Sequence, residues 1–176
     1  MEAISKQLRA YEPMRLTTRQ EYLSFIETHD SVLIEDVNVN IVKKWKIEKF
    51  QPDNYAPEEG TVWSFPDRGE WATHIGNYRG NWSPYIPRNL IDKYTKPGEL
   101  VCDPMMGSGT TLAECRLMGR NGIGVDINPS SVMVAMNRLD FRYVPLDPDY
   151  VEPDIRIYLG DARNLNEINE EEVDLI

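Results

Sequence analysis

The chain has 176 residues, 41% hydrophobic and 27% charged, with a formal net charge of −10. That length supports one α/β domain with a core, and the acidity argues against a surface that itself grips a polyanion, which would carry a basic stripe. Two cysteines and two histidines without ligand spacing argue against a zinc site, and no apolar run is long enough to span a bilayer.

In chain order, Thr18-x-x-Glu21 is a capping box that opens a helix with Tyr22, Phe25 and Ile26 on its apolar side. Val37, Val39 and Ile41 alternate with polar residues as in a half-exposed strand, and the proline-containing stretch 52–66 reads as a loop. Residues 1–60 form an N-terminal α+β unit without recognisable chemistry, and 61–176 form the second unit. Lys43, Lys44, Lys46 and Lys49 surround Trp45 in the one basic-aromatic cluster. With Glu48 and Glu35 nearby, it reads as a solvated outer face more than as a DNA contact. The polar and aromatic loop 71–81 holds His74, a residue for a structural hydrogen bond or a pocket wall. A helix then runs from Ile86 to Tyr94 and is ended by Lys96-Pro97-Gly98.

The run Val101-Cys102-Asp103-Pro104-Met105-Met106-Gly107-Ser108-Gly109-Thr110-Thr111 joins a short apolar strand to a helix over 110–118, stopped by Gly119. Two glycines one residue apart open backbone angles closed to other residues and let a bound group approach the main chain. Gly122–Asp126 is a second buried strand ending in an acid, the position that takes ribose hydroxyls in nucleotide-type α/β folds. A helix over 129–139 presents Val132, Ala135, Met136 and Leu139 on one side. A third strand, 155–159, runs into Gly160-Asp161, and a short helix begins at Asp161 or Ala162. Asp103, Asp126 and Asp161 then converge on one crevice at the carboxyl ends of adjacent strands. A dinucleotide fingerprint wants a small residue where Leu112 stands, and a Walker loop wants a lysine after Gly109 where Thr110 stands. Glu167, Glu170, Glu171, Glu172 and Asp174 read as a solvated helix face and turn, and 173–176 as a fourth strand. Cys102 and Cys115 read as small buried apolar residues in a reduced compartment, and the expected location is the cytoplasm.

Three segments carry a family resemblance: Trp82-Ser83-Pro84-Tyr85-Ile86-Pro87-Arg88-Asn89-Leu90-Ile91, the glycine run from Asp103 to Thr111, and 119–129 with Asp126-Ile127-Asn128-Pro129. Together they resemble the S-adenosylmethionine-dependent DNA methyltransferases of exocyclic amines, adenine N6 or cytosine N4, over roughly residues 62 to 176. The resemblance implies a Rossmann-like methyltransferase fold with an incomplete parallel sheet, and S-adenosyl-L-methionine as cofactor. It implies that Gly107, Gly109 and Thr110 line the methionine half, with Asp103 near the ammonium. Asp126 takes the ribose hydroxyls, Ile127 packs on the adenine, Asp161 bonds its amine, and Trp82 and Ser83 close over the methionine end. Pro104 and Ala162 complete the expected cofactor contacts. Met105 stands where the family has an aromatic residue.

The family's catalytic tetrapeptide, Asp, Asn or Ser followed by Pro-Pro and an aromatic, follows its fourth strand. No Pro-Pro dipeptide occurs in these residues. Ser83-Pro84-Tyr85 has one proline and leaves no room for a target-recognition segment before the glycine run. The expectation is therefore a motif just beyond Ile176 or on a second chain, with no catalytic residue here. The implied partners are DNA, held through regions outside this chain, and the remainder of the methyltransferase domain in cis or as a second polypeptide. A second copy of the chain could also cover the sheet edge. Restriction–modification is the implied setting, and an RNA guanine-amine methyltransferase and a non-catalytic cofactor-binding subunit stay open beside it.

Overall fold

The computed structural model describes residues 13–145, 150–168 and 173–176. Its elements are β1 (Arg15–Leu16), α1 (Arg19–Thr28), β2 (Ser31–Ile34), β3 (Val37–Asn40), α2 (Tyr85–Tyr94), β4 (Leu100–Asp103), α3 (Thr110–Met118), β5 (Asn121–Asp126), α4 (Pro129–Leu139) and β6 (Ile155–Leu159). No helix of the described residues is long and apolar enough to cross a membrane.

The alternation of β5 divides the core into two layers. Ile123 and Val125 face a cluster with Met14, Leu100, Cys102 and Tyr158, closed by Leu165, Ile168 and Val173. Gly122 and Gly124 offer no side chain to the opposite face, and Leu112 of α3 fills the space. A Cβ at Gly124 would overlap Leu112 and Met106. Those two residues belong to the core under α3 and α4, with Ala113, Val132, Ala135, Leu139 and Ile157.

Strands β4, β5 and β6 are parallel, in the order β6-β5-β4, and β1 pairs antiparallel with β6. The expected parallel sheet is therefore mixed. Met14 packs where a Cβ on Gly160 would clash, which lets the chain cross closely and lay β1 on the β6 edge. The fourth strand expected over 173–176 is reduced to one parallel bridge between Val101 and Leu175. There Cys102 N donates to Leu175 O at 2.8 Å. Asp174 is not merely solvated, since its Oδ2 accepts from Leu100 N at 2.8 Å. No helix forms at Asp161 or Ala162. Asp161 instead accepts from the Arg163 N–H at 2.9 Å, and the segment to residue 168 runs as turns. Glu170, Glu171 and Glu172 lie outside the described residues.

Local signals set the helices. The Thr18–Glu21 box is formed at α1, Asn128 caps α4 with Pro129 in its first turn, and Gly119 ends α3 at φ 71°. The expected strand at 37–41 is the second arm of a β2–β3 hairpin and stops at Asn40. This hairpin packs Val32, Ile34, Val39 and Ile41 against Val134 of α4.

Candidate functional site

The register pairs Asp103 with Gly124 and Asp126 with Leu159, so both carboxylates stand at the carboxyl ends of neighbouring parallel strands. They clasp the glycine loop between them. Asp103 accepts from Met105 N at 3.2 Å and from Thr111 Oγ1 at 2.6 Å, fixing the loop to the first turn of α3. Asp126 accepts from Gly107 N at 3.0 Å and from Asn128 N at 2.8 Å. Burial pushes the Asp126 carboxyl above its ordinary pKa, while the backbone donors of Asn128 and Gly107 oppose it and the Asp103 charge adds to it. The Ile127 N–H adds to the donors on Asp126, and each carboxylate still keeps acceptor capacity for a ligand.

Beside the loop lies a cavity of about 270 Å³. Tyr78, Asn81 and Trp82 line it from the segment before α2, and Asp103, Gly107, Ser108 and Thr110 from the loop. Thr110 Oγ1 donates to Asn81 Oδ1 at 2.7 Å and ties the two walls together. The glycines answer internal packing as much as ligand approach. A Cβ on Gly107, at φ 52°, would stand 3.2 Å from the Tyr78 ring, and one on Gly109, at φ 78°, would stand 3.0 Å from the Ala135 Cβ. Met105 is 80% exposed at the rim, and its neighbour Met106 fills the apolar core position instead.

Of the expected contacts, Trp82, Asp103, Gly107 and Thr110 meet at this cavity, while Gly109 lies under it as the left-handed residue before α3. Asp126, exposed Ile127, Asp161 and Ala162 continue along the strand ends beyond its lining. Asp161 is paired with Arg163 at 2.6 Å. Ser83 and Pro104 do not line the cavity, and the Ser83 hydroxyl donates to Arg68 O at 2.6 Å. Tyr78 was missed, Asn81 was expected only as the first residue of the closing segment 81–84, and Ser108 was missed. The polar-aromatic composition of 71–81 was the available signal for Tyr78.

His74 is buried, with Nε2 2.6 Å from Glu114 Oε1, and so serves a structural hydrogen bond. Arg88 donates to Glu114 Oε2 at 2.7 Å, and buried Asn89 accepts from Glu58 N at 2.7 Å. These side chains of α2 hold the framework rather than a substrate. Trp45 of the lysine cluster donates to Asn137 O near the end of α4, far from the strand tips. A larger cavity of about 530 Å³ also opens away from the tips, at the start of β6. Its arginines Arg19, Arg116 and Arg156 face Asp140, Glu152 and Asp154 within 3.1 Å.

A family model described as DNA methylase, for N6 and N4 methyltransferases, matches residues 3–137. The chain is 39% identical over 73 residues to the type II methyltransferase M.MjaII of Methanocaldococcus jannaschii, covering 42% of this chain and 14% of that protein. It is 42% identical over 93 residues to the type II methyltransferase M.HpaI of Haemophilus parainfluenzae, covering 49% and 27%. With the DNA adenine methyltransferase YhdJ of Escherichia coli the identity is 26% over 132 residues, covering 74% and 45%. The chain thus spans under half the length of each of these relatives. Since the family match takes in far more than half of its residues, the glycine loop and both strand-end acids included, the chain belongs to the N6/N4 DNA methylase family.

Proposed function

We propose that this chain is the S-adenosylmethionine-binding part of a DNA methyltransferase acting on an exocyclic amine, adenine N6 or cytosine N4, in a Rossmann-like methyltransferase domain. The observation that carries the reading is the pair of carboxylates, Asp103 and Asp126, clasping a glycine loop at the ends of parallel strands beside an open cavity. The donor set fits the cofactor. Asp126 retains acceptor capacity for a ribose diol, and Asp103 offers a carboxylate for an ammonium. A polyphosphate would meet these acids with no lysine lining the cavity. A cavity of about 270 Å³ suits the methionine end, with the nucleoside lying along Asp126, Ile127 and Asp161. The order β6-β5-β4, with Leu175 beside β4, supports the doubly wound arrangement.

When bound, the cofactor supplies a sulfonium methyl that is already reactive. An exocyclic amine is a poor nucleophile because its lone pair is delocalised into the ring, so the enzyme must accept the amine protons and hold the flipped base. The absence of Pro-Pro among the 176 residues favours base-holding groups carried outside them, in cis or on a second polypeptide. The role of this chain is then to bind and orient the cofactor. The type II relatives point to a restriction–modification setting.

Calorimetry on the full chain tests the reading: one equivalent of S-adenosylmethionine binds, and Asp126→Ala weakens binding by about 10- to 100-fold through lost charged hydrogen bonds. Affinity falls as pH drops through the raised Asp126 pKa, because the protonated carboxyl is a poorer acceptor for the ribose hydroxyls. Binding of a nicotinamide dinucleotide or nucleoside triphosphate in its place sinks the assignment. Methyl transfer to duplex DNA rather than transfer RNA, appearing only when the remaining polypeptide is present, decides the substrate.

A further inference from the structure

Arg138, in the last turn of α4, is 3% exposed and has no carboxylate partner among the described residues. Its Nη1 donates to Ser108 Oγ at 2.7 Å, and its Nη2 donates to Ile75 O at 3.1 Å and Asn77 Oδ1 at 3.0 Å. A guanidinium held only by neutral acceptors in a dry site is costly. Burial pushes its pKa down to about 10, and the charge of Arg68 pushes the same way. Arg68 donates to Asn81 O at 3.1 Å and keeps Nε and Nη2 buried without an acceptor. Two cations therefore back the 75–81 segment where it forms the cavity wall.

Ser108, also 3% exposed, is the residue that both lines the cavity and touches Arg138. Accepting from a guanidinium polarises its hydroxyl and leaves the hydroxyl proton to be donated elsewhere. Among the described residues no acceptor takes it. Thr110 and Thr111 differ, since each donates inside the protein, to Asn81 and Asp103. The cavity thus joins a carboxylate, Asp103, with a cation-backed hydroxyl donor, Ser108, a pairing suited to the ammonium and carboxylate of an α-amino acid.

We propose that Arg138 is a positioning residue which, by holding and polarising the Ser108 hydroxyl, makes this cavity select the α-carboxylate of the methionine moiety. The inference rests on the cofactor reading above. It is tested by calorimetry on the full chain with two ligands, S-adenosylhomocysteine and its analogue lacking the α-carboxylate. In the parent chain the carboxylate ligand binds at least about tenfold more tightly, as for one charge-assisted hydrogen bond. Arg138→Met brings that ratio below about threefold, Arg138→Lys restores much of it, and Ser108→Ala, which keeps the bonds to Ile75 and Asn77, collapses it too. Equal weakening of both ligands with the ratio preserved in Arg138→Met and Ser108→Ala overturns the inference, as does a parent chain that binds both alike. Failure of the parent chain to bind either ligand overturns the cofactor reading itself, and this inference with it.

Discussion

Leu112 shows how one residue in a motif redirects an assignment. A dinucleotide fingerprint needs a small residue there so that helix and strand approach closely. In this chain the leucine is fully buried on α3, and the smallness has moved across the contact to Gly122 and Gly124 of β5. The close approach is kept with the roles exchanged. Gly124→Ala should cost about 1–3 kcal/mol by overpacking, read as a lowered urea midpoint. Gly98→Ala makes a control of different origin: open space surrounds Gly98 but its φ is +88°, so about 1–2 kcal/mol of left-handed strain is expected. The two are separated by Leu112→Ala, which should relieve the part of the Gly124→Ala cost that comes from Leu112, while the overlap with Met106 remains, and none of the Gly98→Ala cost. A Gly124→Ala chain as stable as the parent sinks the steric account. The leucine was visible in the sequence as a departure from the fingerprint; its partner glycines were visible only as members of a strand.

At the scale of elements, the sequence was most readable where a side chain or a glycine closes a helix end. The bounds of α3 and α4 follow from Gly119, Asn128 and Pro129, and the start of α1 from Thr18 and Glu21. It was least readable where pairing is tertiary. The first arm of the hairpin, β2, escaped notice because its turn is Glu35-Asp36, with Glu35 at φ 52° and neither glycine nor asparagine to announce it. The expected helix after Asp161 lost to a local carboxylate turn. Glu114 was hidden differently. A glutamate in an amphipathic helix reads as solvated, yet α3 is covered on nearly all sides and Glu114 is 0% exposed. It accepts from Trp71 Nε1 at 2.7 Å and from Arg88 at 2.7 Å, and His74 shares its Oε1, so α2, α3 and the 71–74 turn meet on one carboxylate. Glu114→Ala strands a buried guanidinium and should cost about 3–5 kcal/mol in urea unfolding, with Glu114→Gln recovering part of the loss. A cost under about 1 kcal/mol would mean that Arg88 finds other compensation, contrary to this geometry.

Across the whole molecule, the described residues before 61 share a core with the residues that follow them. Asn137 of α4 is 2% exposed and joins them: its Nδ2 donates to Tyr22 Oη and Val42 O, each at 2.9 Å, and its Oδ1 accepts from Val42 N at 2.9 Å. Trp45, Ile47 and Phe50 complete the cluster around Trp71, Leu117 and Phe141, and Val134 completes the hairpin core. Neither half of these clusters is covered without the other, so separate unfolding would expose apolar surface and strand the Asn137 bonds in both parts. The expected behaviour is one cooperative unit. Native-state hydrogen exchange should give the amides of α1 and β3 an opening free energy within about 1 kcal/mol of those in β5. Asn137→Leu, which leaves the Val42 N–H and C=O without partners, should lower the protection of all three elements by a common amount of about 2–4 kcal/mol. Opening of α1 and β3 several kcal/mol below β5, with β5 unmoved by the substitution, would show instead that the N-terminal residues are a separately stable cover. In a single cooperative unit, a lesion in α1 or in the β2–β3 hairpin would reach the glycine loop through α4, because Ala135 packs under Gly109 and Arg138 holds Ser108.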